Sequence, residues 1–290
     1  MNAHPVTWAL RLLVVLLPLV AGDLVGDALA DRSVAVARSG TALAWLAWAA
    51  LVLGAAVPHP ISLTVLRVVA PGVAVGSVWA AVAADDLDAL GVTGVAAAVA
   101  VAALALSAWV ADDCLDARSY GDERRFSLRT PATLIFGPAP LAVVVALAGV
   151  VVPVMLLAAK AWLAGLVALV VGAVVVRLAV ASLHTLATRF VVLVPAGLTL
   201  VDPLVLVDSV LFPRARITRL SPALVGTTAT DLSQNAPGLA VEVALDGPTS
   251  LAVKTGRRTA EETEVSAVVF TPARAAALLA EAARRGVRVP

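Results

Sequence analysis

Ionisable side chains that interrupt apolar runs have the best claim to chemistry in this sequence, because a charge in hydrocarbon is costly and is seldom kept there without a use. Arg177 and His184 are seven residues apart, two helical turns, and so share one face. Both lie toward the same end of their run, where snorkelling to lipid phosphates accounts for them without catalysis. No apolar run carries a mid-depth Asp or Glu, the residue a proton relay needs. The lone Cys114 stands among Asp112, Asp113 and Asp116, whose charges disfavour the thiolate. Asp23, Asp27 and Asp31 recur every fourth residue, and Asp85, Asp86 and Asp88 cluster in another loop. Such carboxylates could gather a divalent cation, but solvated loop charge is the plainer reading, and neither metal nor cofactor is expected.

Recognised catalytic patterns are missing. There is no nucleophile elbow, phosphate loop, dinucleotide fingerprint or HExxH. His4, His59 and His184 are far apart in the chain. The expectation is a protein that is not an enzyme.

The elements that must position these groups are set by where the apolar residues fall. The chain is 61% hydrophobic and 14% charged, against about half and about a quarter in soluble domains. The excess is concentrated in residues 1–188. About 20 apolar residues cross the hydrocarbon, and six runs qualify, near 7–24, 40–57, 61–84, 89–111, 138–159 and 161–183. Pro71 and Pro153 should kink their helices, with neighbours satisfying the freed carbonyls. Gly72-x-x-x-Gly76 permits close helix approach, within the bundle or in a homo-oligomer.

A cytosolic N-terminus puts Arg11, Arg67, Arg118, Arg124, Arg125, Arg129, Arg177 and Arg189 on the inner side, leaving Arg32, Arg38 and Lys160 outside. Trp8 and Trp109 then mark the inner boundary, Trp79 and Trp162 the outer. Ala28-Leu29-Ala30 resembles a signal-cleavage site, but no Lys or Arg precedes Arg11, so an uncleaved first span is preferred. The expected place is a bacterial plasma membrane with both termini cytosolic.

One substantial inner loop, from Asp112 to about Gly137, holds Tyr120, Asp122, Glu123, Arg124 and Arg125. Two acids followed by two bases suit a self-paired, solvated turn; the functional alternative is a docking surface for the C-terminal domain or a protein partner. In residues 189–290 eleven Lys/Arg face nine Asp/Glu, a balance that argues against nucleic acid as a partner. Arg214, Arg216 and Arg219 form that region's one basic patch, the first two on one face of an expected strand. It reads as a decorated edge, or as a contact for anionic lipid.

From Arg189 the text turns to short β-type runs: Phe190–Val194, Gly197–Val201, Val205–Phe212, Ala215–Leu220, then Leu239–Leu245 and Ser250–Lys254 about an Asp246-Gly247-Pro248 hairpin signal, then Val265–Phe270. A final helix has Thr271 as N-cap, Pro272 in its first turn and Gly286 past its end, with Ala275, Leu278, Leu279 and Ala282 as buried face. Strands closed by a C-terminal helix, entered directly from a membrane helix through Arg189–Leu220, resemble the bacterial pleckstrin-homology-like fold, a small curved barrel. Tyr120–Phe126 and Val194–Pro213 are similar to membrane proteins of high-GC Gram-positive bacteria. The fold class is thus an α-helical membrane bundle, 1–188, plus a small α+β domain, 189–290. The resemblance implies interaction rather than catalysis: a membrane-anchored recruiting or regulatory module, the alternative being a transporter or lipid carrier.

Overall fold

The computed structural model describes residues 3–84, 87–256 and 259–289. Its elements are, in chain order, α1 (Pro5–Ala30), α2 (Val34–Ala56), α3 (Pro60–Ala83), α4 (Ala89–Ala105), α5 (Ala108–Asp116), β1 (Arg124–Ser127), α6 (Ala132–Ile135), α7 (Pro138–Ala158) and α8 (Trp162–Ala187). These are followed by β2 (Phe190–Val194), β3 (Gly197–Val201), β4 (Val210–Pro213), β5 (Ile217–Pro222), β6 (Thr230–Asp231), β7 (Val241–Lys254), β8 (Ala260–Phe270) and α9 (Ala275–Arg284). The chain divides into two units: 1–114 with 139–184, and 115–138 with 185–290.

In the helical unit, α1 packs against α2, α3 and α4, and α3 also against α2 and α4. Val68 of α3 meets Ala146 of α7 and Ala179 of α8. Five helices are long and apolar enough to cross a membrane, and six spans result if α4 and α5 count as one broken span. Their apolar surface is mostly uncovered by protein; Leu19, Val82 and Leu163 are 72%, 82% and 79% exposed. In water that much exposed apolar area would drive association, whereas hydrocarbon solvates it. The run expected at 89–111 is not one straight helix, for the chain bends by 53° between α4 and α5.

Prolines show how the bundle tolerates lost backbone donors. Pro18 lies inside α1 and cannot donate to the carbonyl four residues back. That carbonyl, of Val14, instead accepts from Trp48 Nε1 of α2 at 2.9 Å. Pro153 likewise frees the carbonyl of Gly149. There α7 and α8 come so close that a Cβ on Gly172 would meet Gly149 O at 2.5 Å. Close approach also occurs at Gly94, where a Cβ would meet Val20 O at 2.4 Å, while Gly76 has open space. Of the Gly72/Gly76 pair on which the sequence reading drew, Gly72 is closely approached, a Cβ there meeting the Leu147 side chain of α7 at 2.7 Å, and Gly76 is not.

The second unit carries two four-stranded sheets, ordered β1-β2-β3-β4 and β5-β7-β8-β6. The first is antiparallel throughout; in the second only β6 runs parallel to its neighbour β8. The sheets are separate ladders among the described residues, not the single closed barrel expected. Alternating Val191 and Leu193 of β2 and Leu198 and Leu200 of β3 point into one core with Phe212, Leu220, Val243, Leu251, Val268 and Phe270. Leu278 and Ala282 of α9 join that core, and Leu279 packs against it.

Four local expectations are corrected. Val205–Phe212 is not one strand: Val207 N donates to Ala252 O of β7 at 3.1 Å, whereas Val210–Pro213 pairs with β3, so the run is divided between sheets. Arg214–Arg216 form a 3-10 turn, so Arg214 and Arg216 do not share a strand face, and β5 starts only at Ile217. Asp246-Gly247-Pro248 makes no hairpin. It is a bulge within β7, absorbed between the pairs Ala244↔Ala267 and Thr249↔Val265. Arg216 holds the bulge, with Nε donating to Asp246 Oδ1 at 3.0 Å and Nη2 to Pro248 O at 2.9 Å. Finally, α9 begins at Ala275 with Arg274, not Thr271, as N-cap. Arg129 N donates to Thr271 O and Ala273 N to Ser127 O, so 271–273 continue a ladder and delay the helix. The stop signal at Gly286 is as read: Gly286 has φ +71°, and Val287 N donates to Ala282 O and Gly286 N to Ala283 O, a Schellman end.

Candidate functional site

The helical unit holds a polar centre built at the ends of α1, α3 and α5. Two His-Pro pairs start α1 and α3, proline fitting the first helical position. Each histidine caps its own helix: His4 Nδ1 accepts from Val6 N at 3.3 Å, and His59 Nδ1 from Ile61 N at 3.1 Å. The bend after α4 brings α5 against these ends. Asp113 Oδ2 accepts from His4 N at 2.9 Å and from Thr7 Oγ1 at 2.6 Å, and the His4 ring stacks on Trp109 at 5.6 Å. Cys114 is buried close to the His59 backbone, and Cys114 and Asp112 are within electrostatic reach of Arg67. Arg67 Nε is buried with no hydrogen-bond partner. Arg11 Nε donates to Ala55 O at 2.9 Å, and its guanidinium lies 4.7 Å from the Trp8 ring. This centre was not assembled from the sequence. Its signal was there in Thr7, Arg11, Thr64, Arg67, Asp112 and Asp113, which recur near run ends assigned to one side of the membrane.

Of the residues singled out in the spans, His184 Nδ1 lies 2.8 Å from Thr64 Oγ1, which also donates to Pro60 O at 3.1 Å. Arg177, two turns away, is exposed. Among the described residues no three of His, Cys, Asp and Glu converge as metal ligands. The acidic-loop residues Asp85 and Asp86 lie outside the described residues.

In the sheet unit, the loop from Asp112 to about Gly137 contains a strand, β1, and is not only a solvated turn. Arg124↔Leu193 through Ser127↔Phe190 pair β1 with β2. Asp116, 1% exposed, organises its approach: Oδ1 accepts from Ser119 Oγ at 2.8 Å and Arg125 N at 2.9 Å, while Oδ2 pairs with Arg124. Glu123 Oε2 accepts from Tyr120 N and pairs with Arg125 Nη2, both at 3.2 Å, so part of the expected self-pairing is present. Asp122 pairs with Arg285 beyond α9 at 3.1 Å, and its carbonyl accepts from the same guanidinium at 2.6 Å. Tyr120 is 88% exposed. Of these residues Arg124 and Arg125 lie in β1, and Tyr120, Asp122 and Glu123 lie just before it.

The basic patch also separates. Arg216 pairs with Asp246, Arg219 with Glu242 at 3.6 Å, and Arg214 Nη2 donates to Gly286 O at 3.3 Å. On α9, burial pushes the Glu281 carboxyl up, but the hydrogen bond from Arg285 and the charges of Arg284, Arg285 and Arg124 outweigh it. The group is held below the ordinary glutamate value.

A buried ion pair escaped the sequence reading. Arg189, counted there only as an inner-side charge, gives Nε to Asp202 Oδ1 at 2.7 Å and Nη2 to Oδ2 at 2.6 Å, each side chain 2% exposed. Its Nη1 donates to Arg129 O at 2.9 Å, and Asp202 Oδ1 also accepts from Leu204 N at 3.1 Å. This fork ties the start of β2 to the end of β3 and to the segment after β1. Compared with known protein families, with curated proteins and with solved structures, the chain finds no match.

Proposed function

We propose that the protein is a non-enzymatic, membrane-anchored interaction module whose sheet domain, of pleckstrin-homology-like type, recruits or regulates a protein partner on the cytosolic side. The supporting observation is the pairing of β1 with β2. β1 comes from the connection between α5 and α7, and β2 starts just after α8, so three covalent crossings join the units. A partner gripping this domain also grips the segments on which the helices begin and end. The test is in-cell crosslinking of the full-length protein, read by mass spectrometry, with native chain and chains carrying charge reversals on exposed sheet-domain residues. Partner capture lost in the reversed chains while membrane insertion persists is the expected result; capture indifferent to the domain's surface would reject it.

A second reading, a carrier for a lipid or polar solute, is favoured by the polar centre with Arg67 Nε unpartnered and by the 53° break that delivers α5 to it. Solute flux in proteoliposomes that survives sheet-domain charge reversal but not Arg67→Gln would favour it.

A further inference from the structure

The geometry points to an anion-binding groove on the sheet domain, gripped by Arg214 and Arg288, that takes a phosphate-bearing ligand. The groove encloses about 560 Å³ between the 3-10 turn, the start of β5 and the segment after α9. Ile217 and Val287 are buried beneath it, while Arg214, Thr218 and Arg288 are exposed at its sides. No carboxylate of a described residue lines it.

What marks these two arginines is contrast with their neighbours. Arg216 and Arg219 each face a carboxylate, and Arg284 and Arg285 share Glu281. The partner described for the Arg214 guanidinium is only a carbonyl, that of Gly286. Among the described residues none is seen for the guanidinium of Arg288. Positive charge is thus neutralised around the groove and left available within it.

The groove is also preorganised. Gly286 has φ +71°, and a Cβ there would meet Arg214 Nη2 at 2.5 Å, so glycine both makes the turn and admits the guanidinium. Leu220 N donates to Arg288 O at 2.9 Å, which pins the last segment along β5. Two guanidinium forks arriving from separate elements match the several acceptor oxygens of a phosphate group better than one carboxylate. The ligand is therefore a phosphate ester, whether a soluble molecule or a phospholipid headgroup. This rests on the recruitment reading only in making the sheet domain the binding part.

The test uses full-length protein in phosphatidylcholine nanodiscs, titrated with inorganic phosphate and glycerol 3-phosphate and followed by thermal midpoint and chemical shift. A parallel series dopes the discs with phosphatidylglycerol. Stabilisation by the soluble anions identifies a soluble ligand, and stabilisation only in doped discs identifies a headgroup; either supports the site. Arg214→Gln or Arg288→Gln should each weaken binding by about tenfold or more, as loss of a charge-assisted hydrogen bond implies, and Arg219→Gln should not. No response in either series, or an Arg214→Gln/Arg288→Gln double variant responding like the native chain, would overturn the site. Partner crosslinking, scored separately on the same variants, tells that failure from failure of recruitment.

Discussion

Removing one partner of the Arg189–Asp202 pair leaves a buried charge alone, which outweighs anything a surface pair contributes. Asp202→Ala should destabilise the sheet unit by about 3–5 kcal/mol, while Arg189→Met/Asp202→Leu should recover much of the loss; denaturant unfolding read by protease sensitivity of the unit distinguishes them. Glu281 gives a prediction with a sign. Its folded-state pKa lies below the ordinary 4.5, so its contribution is fully present above about pH 4.5 and fades as pH falls through the lower folded value. Glu281→Gln should flatten that acid limb in a pH series of melting temperatures, and a steeper limb would contradict the assignment. In the helical unit, Trp48→Phe keeps an aromatic ring but deprives Val14 O of its donor. A loss of about 1–3 kcal/mol is expected in detergent-denaturation curves. The Glu281 pairs, three and four residues apart at one helix end, are of a kind local spacing can show; the Arg189–Asp202 fork and the Trp48 donor are not, since one joins two strands and the other depends on which carbonyl a proline leaves open.

Among the elements, the long apolar helices, β2, β3 and the end of α9 were readable because each rests on local pattern: runs of about 20 apolar residues, short β-type runs bounded by turn residues, a glycine just past a helix. Errors fell where tertiary pairing overrides local preference. Asp246-Gly247-Pro248 has turn chemistry, yet β8 runs past it and Arg216 holds the excess residues as a bulge. Thr271 resembles a cap, yet its backbone is taken by Arg129. The 112–137 loop looked like a solvated turn because Arg124–Ser127 is too short to announce a strand, and its partner lies more than sixty residues away. Phe126, 2% exposed and opposite Val191, is what holds β1 in place. Phe126→Ala should cost about 3–5 kcal/mol and release hydrogen-exchange protection along β2, whereas Tyr120→Ala should change neither.

For the whole molecule, the pairing of β1 with β2 constrains topology more firmly than charge counting does. Residues 115–138 and 185–290 build one unit, so they must share one side of the membrane, and α7 and α8 between them must cross it as a pair. Arginine asymmetry is the ground on which the cytosolic side is proposed. Cysteine accessibility tests this most directly: single cysteines at Tyr120 and Val225, both fully or nearly exposed, in a Cys114→Ser background, probed with a membrane-impermeant maleimide. Both positions should label in inverted vesicles and neither in intact cells. Labelling from opposite sides would contradict the β1–β2 domain itself, and labelling of both from outside would contradict the cytosolic placement on which recruitment depends.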